Sequence, residues 1–104
     1  MDYQTFRELL SIAEKTDDRE AFFIAEPVRK MSDSEYYLWP IWTYAHDRTL
    51  KCIRSFTGMP RTNFATRYDL PYRTVTDWER EQRVPPPYLL DLLAFAVITD
   101  RRYY

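Results

Sequence analysis

Glycine, cysteine and histidine are almost missing from this 104-residue chain, which has one of each. A single Gly excludes a phosphate-cradling P-loop and a dinucleotide-binding fingerprint, since both need several glycines. A single Cys excludes an internal disulfide framework and a CxxC-type zinc site. A single His argues against a His-based metal cluster. Long hydrophobic runs are lacking too. The longest, Leu92 to Ile98, falls far short of the roughly 20 residues that cross a bilayer, so no membrane partner is expected. The N-terminal stretch MDYQTFRELL carries acids and no long apolar run, so it does not have the form of a signal peptide. No nucleophile–base pair or metal set is visible, and Asp17, Asp18 and Glu20 read as a solvated turn with cap residues. No enzyme, catalytic residue, metal or cofactor is therefore expected. The expected location is the cytoplasm, where Cys52 stays reduced and serves as a small buried apolar residue.

What is present is a charged, aromatic chain. Apolar residues make up 45%, which is ordinary for a globular protein, and the length suits one small domain or a domain with an arm. The formal net charge of −1 hides an asymmetry. Residues 1–45 hold five basic and nine acidic side chains, whereas 46–104 hold ten basic and seven acidic. A basic half is a pointer to an anionic partner, although solvated helix faces produce the same pattern.

The hydrophobic spacing is helical nearly throughout. Phe6, Leu9, Leu10 and Ala13 form one stripe, with Thr5 or Asp2 as its cap. Asp17 or Asp18 can cap a second short helix through Phe22 that stops before Pro27. Ser32-Asp33-Ser34-Glu35 looks like a third start signal. The aromatic run from Tyr36 to Tyr44 contains Pro40. A kinked helix, two short pieces or a partly extended segment all fit it, and a short strand is not excluded. His46 is expected at a helix start. Leu50, Ile53, Arg54 and Phe56 mark a helix that Gly58 can close in left-handed geometry. Pro60 suits the first turn of the next, whose apolar face is Phe64, Ala65 and Tyr68. Asp69-Leu70-Pro71 is a tight turn, followed by a helix through Thr74, Val75, Trp78 and Glu79. Pro85-Pro86-Pro87 opens a last helix whose stripe is expected to be Tyr88, Leu89, Leu92, Leu93, Ala96 and Val97. The expected fold class is all-α. It is a compact helical bundle that contains a helix-turn-helix in residues 46–100, with an additional N-terminal helical, aromatic-rich segment over 1–45 packing on that domain.

Residues 59–85 read MPRTNFATRYDLPYRTVTDWEREQRVP. Phe64-Ala65 is an apolar-Ala pair, Leu70 lies just past the turn, Thr74-Val75 and Trp78-Glu79 form the middle of the second helix, and Arg83 and Pro85 mark the exit. At these spacings the segment resembles the helix-turn-helix of the lambda-repressor-like, Xre-type family of DNA-binding domains, over about a quarter of the chain. Three positions depart from the family pattern. Arg61 stands where Gln is usual, and Asp69 and Glu81 occupy positions that are often Gly.

The resemblance implies sequence-specific double-stranded DNA binding by a small bacterial or phage-type transcriptional regulator. A helix over about residues 71–80 would enter the major groove. Arg73 can then donate a bidentate pair to guanine, and Asp77 can accept from a cytosine amino group. Tyr72 and Thr76 can touch a thymine methyl or a phosphate, and Thr74 can cover the turn or face a phosphate. Arg61, Arg67, Arg80 and Arg83 flank the helix as phosphate clamps. Asp69, Asp77 and Glu81 bring negative charge near the same face and put retention of DNA binding in question. The alternative is a protein-interaction module, antitoxin-like or adaptor, on the same scaffold with weak or no DNA binding. Its partner surface would be the aromatic segment 36–44. A homodimer is a further expectation, because a palindromic operator takes two copies.

Overall fold

The computed structural model describes residues 1–31 and 35–100. Among these residues there are eight helices and no strand: α1 (Tyr3–Glu14), α2 (Arg19–Ile24), α3 (Glu26–Met31), α4 (Glu35–Ala45), α5 (Leu50–Ser55), α6 (Arg61–Arg67), α7 (Tyr72–Glu79) and α8 (Pro87–Ile98). The chain is an all-α bundle, and the helix-turn-helix is α6 and α7.

Local chemistry sets the helix starts. The Asp2 carboxylate accepts the Thr5 amide at 2.7 Å, and the Asp18 carboxylate accepts the Glu20 amide at 3.1 Å. Asp2 rather than Thr5, and Asp18 rather than Asp17, therefore cap α1 and α2. Thr49 caps α5 by accepting the Cys52 amide at 3.1 Å. Each such cap contributes about 1 kcal/mol. The Ser32-Asp33-Ser34 start signal lies outside the described residues. Between the alternatives left open for 36–44, the chain takes an uninterrupted helix with Pro40 inside it. A proline there removes one backbone hydrogen bond. Burial holds the segment helical all the same: Tyr37, Leu38, Pro40, Ile41 and Tyr44 all face the core.

The N-terminal helices share a core with the rest. Phe6, Leu9, Leu10 and Ala13 of α1 are buried together with Ile41 and Tyr44 of α4, Ile53 of α5, Phe64 of α6, Val75 of α7 and Ala94 of α8. Phe95 of α8 receives Tyr3 and Phe6 edge-on, at centroid distances of 5.3 and 5.4 Å. Trp42 Nε1 donates to the Thr16 carbonyl at 3.0 Å. His46 does not start a helix; it follows the end of α4. Its ring lies on Trp42, 4.4 Å between centroids, and its Nε2 donates to the carbonyls of Ala13 at 2.8 Å and Thr16 at 3.1 Å. The C-terminal ends of α1 and α4 are thus fastened to each other.

The face of α8 differs from the expected stripe. Leu90, Ala94, Val97 and Ile98 are buried, while Tyr88, Leu89, Leu92 and Ala96 lie outside. Asp91 decides the rotation. Its carboxylate takes the Tyr44 hydroxyl at 2.6 Å and the Arg48 guanidinium at 2.8 Å, which draws the polar residue inward.

Candidate nucleic-acid interface

The turn between α6 and α7 is closed by its backbone. Asp69 sits in left-handed geometry at φ 55°, the Leu70 amide reaches back to the Ala65 carbonyl at 2.8 Å, and the Asp69 amide to Thr66 at 3.4 Å. That double reversal satisfies the last carbonyls of α6 and turns the chain sharply into Pro71. The end of α7 repeats it. Glu81 has φ 60°, the Gln82 amide bonds the Asp77 carbonyl at 2.9 Å, and the Glu81 amide bonds Trp78 at 3.3 Å. Both residues that depart from glycine in the sequence pattern therefore adopt the geometry glycine favours. Asp bears it better than Glu does.

Behind α7 lies an ion pair. The Glu79 side chain is fully buried. Arg54 of α5 holds it with two parallel bonds, Nε to Oε2 at 2.7 Å and a terminal nitrogen to Oε1 at 2.9 Å, and the other terminal nitrogen donates to the Met59 carbonyl at 2.8 Å. Arg61 Nε adds a contact to Oε1 at 3.3 Å. Burial pushes the Glu79 carboxyl upward, but Arg54 and Arg61 together outweigh it and hold the group below its ordinary value. The same bonds raise Arg54. With Val75 in the core, this network fixes which side of α7 points outward.

The exposed residues of α7 and its C-cap are Tyr72, 51% exposed, Arg73, whose side chain is 92% exposed, and Arg80. Arg73 makes only a long contact to Asp77, 3.9 Å. Thr74 is half-buried. Thr76 and Asp77, expected on the open face, are half-buried as well. The returning chain covers Asp77, because the amides of Gln82 and Arg83 both reach its carbonyl, and only 15% of its side chain is exposed. The Thr76 hydroxyl is enclosed and without a hydrogen-bond partner among the described residues.

The four flanking arginines divide. Arg61 leans on Glu79 with about a third of its side chain exposed, 32%. Arg67 pairs with Asp100 at 2.8 Å and lies over the Tyr68 ring, tying α6 to the end of α8. Arg80 and Arg83 are exposed and form no ion pair among the described residues. Of the nearby carboxylates, Glu79 is withdrawn completely and Asp77 largely, which leaves Asp69 and Glu81 exposed on either side of α7. Helices α6 and α7 each begin after a proline, Pro60 and Pro71, and neither start carries a side-chain cap. Their first amides are open to water or to an anion.

Arg54 and Lys51 were not singled out as site residues from sequence. Arg54 is the partner of Glu79 and could have been found as the nearest preceding arginine on a helix that must contact α7. Lys51, Trp78, Arg83 and Leu90 line an open groove of about 660 Å³ between the start of α5 and the segment that follows α7. No cluster of side chains that could hold a metal occurs among the described residues. None of the described helices is long and apolar enough to cross a membrane. Compared with models of known families, with curated proteins and with solved structures, the chain finds no match.

Proposed function

We propose that this chain is a lambda-repressor-like, Xre-type protein that binds double-stranded DNA sequence-specifically through α7. In this reading it acts as a small bacterial or phage-type transcriptional regulator in the cytoplasm. The observation that carries the reading is the placement of charge around α7. Glu79 is buried against Arg54 and Asp77 is largely enclosed, while Tyr72, Arg73 and Arg80 are exposed, Arg73 and Arg80 two turns apart on one side. Arg73 reads base edges, and Arg80 and Arg83 hold phosphates. The uncapped starts of α6 and α7 offer further amides to the backbone. The left-handed geometry at Asp69 and Glu81 supports the family resemblance, because those are the positions where the pattern often has Gly. Arg61 and Arg67, engaged with Glu79 and Asp100, act mainly by bracing the unit.

A second reading rests on Tyr36 and Trp39. They are 72% and 47% exposed on one side of α4, and Trp39 is set edge-on to Phe56 at 6.1 Å. That pair would serve a protein partner if the chain is an interaction module.

Titration of random-sequence duplex DNA at several salt concentrations tests the proposal. Affinity should fall steeply with salt. Arg73→Ala should change sequence preference, whereas Arg80→Ala and Arg83→Ala should each weaken all sequences alike and lower the salt slope by about one. No binding at low salt, or indifference to all three substitutions, would leave the interaction module.

A further inference from the structure

The open groove of about 660 Å³ between the start of α5 and the segment after α7 has the size of a small-molecule site. Both of its walls are held in place without a ligand. On one, Thr49 caps α5, and the Arg48 guanidinium is fixed to Asp91 at 2.8 Å and to Glu14 at 3.2 Å. On the other, the left-handed turn at Glu81 carries the chain off α7, and the amides of Gln82 and Arg83 return to the Asp77 carbonyl. Pro85, Pro86 and Pro87 then each fix their own φ. Little ordering is therefore left for a ligand to impose. Leu90, which belongs to the core, and the half-buried Trp78 and Pro85 supply apolar surface at depth, while Val84, 85% exposed, stands at the rim. A second hollow of about 270 Å³ shares Arg48, Val84, Pro85 and Leu90 with the groove and extends it toward Tyr44.

Charge decides what such a groove accepts. Each wall carries one exposed residue of each sign: Asp47 and Lys51 on the α5 side, Glu81 and Arg83 on the other. The Asp47 carboxylate accepts the Thr49 hydroxyl. None of the four forms an ion pair among the described residues, so the opposite charges of the two walls stand too far apart to meet. The remaining lining charges are already balanced, Arg48 by Glu14 and Asp91, Glu79 by Arg54 and Arg61. A simple anion entering the groove meets Asp47 and Glu81, and a simple cation meets Lys51 and Arg83. A zwitterion with a flat apolar body avoids both conflicts. Its carboxylate goes to the cations, its ammonium to the carboxylates, and its ring against Trp78 and Pro85. We infer that this groove binds a free α-amino acid with an aromatic side chain. Arg83 is also a phosphate contact in the proposed function, so an occupied groove withdraws it from DNA and lowers duplex affinity. That consequence rests on the proposed function; the site does not.

Titration of the isotope-labelled full chain with L-phenylalanine, followed by amide and indole chemical shifts, tests the inference. Binding should saturate in the millimolar range, with shifts on residues 47–51, on Trp78 and its indole N–H, and on residues 81–84. 3-Phenylpropanoate lacks the ammonium and 2-phenylethylamine lacks the carboxylate, and each should bind at least about tenfold more weakly. Arg83→Ala should weaken L-phenylalanine severalfold without weakening 2-phenylethylamine. Glu81→Gln should weaken L-phenylalanine and strengthen 3-phenylpropanoate. Both side chains are exposed, so helical content should stay the same. No saturable shifts in the groove, equal binding of the three compounds, or an Arg83→Ala chain that takes L-phenylalanine as well as the unaltered one would overturn the inference. None of these readouts involves DNA, so its failure is separate from failure of the duplex titration. With L-phenylalanine saturating, duplex affinity should fall for the unaltered chain and not for Arg83→Ala. An affinity unmoved by the bound amino acid would overturn the consequence for DNA.

Discussion

Replacing Arg54 by Ala should unlock α7. Glu79 would keep a buried carboxylate with only Arg61 at 3.3 Å to balance it. Removing one partner of a fully buried pair costs about 3–5 kcal/mol. Arg54 is 21% exposed and Arg61 remains in place, so the expected cost is smaller, about 2–3 kcal/mol. For a domain of this size that corresponds to a fall of roughly 10–20 °C in Tm. Urea unfolding should show a lower midpoint with an unchanged slope. Glu79→Gln should cost less than Arg54→Ala, because the amide oxygen still accepts one guanidinium bond. The double variant Arg54→Ala, Glu79→Gln should be clearly more stable than the sum of the two single losses allows, because no buried charge is left. The pH dependence has a definite sign. Glu79 titrates below its ordinary 4.5 in the fold, so the folded protein binds fewer protons than the unfolded chain in that interval. The stability from this pair is complete above about pH 4.5 and is lost as pH falls through the folded value. Arg54→Ala should flatten that acid limb. A cost under about 1 kcal/mol, or strict additivity in the double variant, would refute the claim that this pair sets the orientation of α7.

Three further outcomes follow from other parts of the molecule. Glu81→Gly should stabilise the protein by about 0.5–1 kcal/mol, since Glu81 sits at φ 60°. Asp69→Gly should give less, and the two melting temperatures compared in one buffer check the order. Tyr44→Phe should cost about 1 kcal/mol by removing the 2.6 Å bond to Asp91. In the unaltered protein, burial and then Asp91 raise the Tyr44 hydroxyl far above 10, so an alkaline absorbance titration should show one fewer ionising tyrosine in the folded protein than in the unfolded chain. Cys52 should resist a thiol reagent at pH 8 and react fully in denaturant, since its thiol is pushed up to about 12 by burial and by Asp47.

Helix starts were partly legible because their cause is local: the sequence narrows the caps of α1 and α2 to Thr5 or Asp2 and to Asp17 or Asp18, whereas the Thr49 cap of α5 was not singled out. The α6–turn–α7 unit was legible because its turn residues, buried positions and the Glu79 acid stand at fixed spacings. Two features were not. The outward side of α8 could not be chosen by periodicity, because Leu89 to Ile98 is apolar all round except for Asp91, and Asp91 points inward only because Tyr44, forty-seven residues earlier, and Arg48 meet it there. The continuity of α4 through Pro40 was open for a similar reason. Local propensity is ambiguous there, and burial against α1 decides. At the candidate site, Tyr72, Arg73 and Arg80 were read correctly as outward. The enclosure of Thr76 and Asp77 depends on how the chain doubles back at Gln82 and Arg83, which helical spacing within α7 does not encode.

The central claim is that α7 meets DNA with its exposed residues, Tyr72, Arg73 and Arg80. Amide chemical-shift mapping of the isotope-labelled protein on addition of a duplex tests it most directly. The account predicts that the largest, salt-sensitive shifts fall on Tyr72, Arg73, Arg80 and Arg83 and on the first residues of α6. Shifts confined to Tyr36 and Trp39 on α4, or no shifts at low salt, would contradict it.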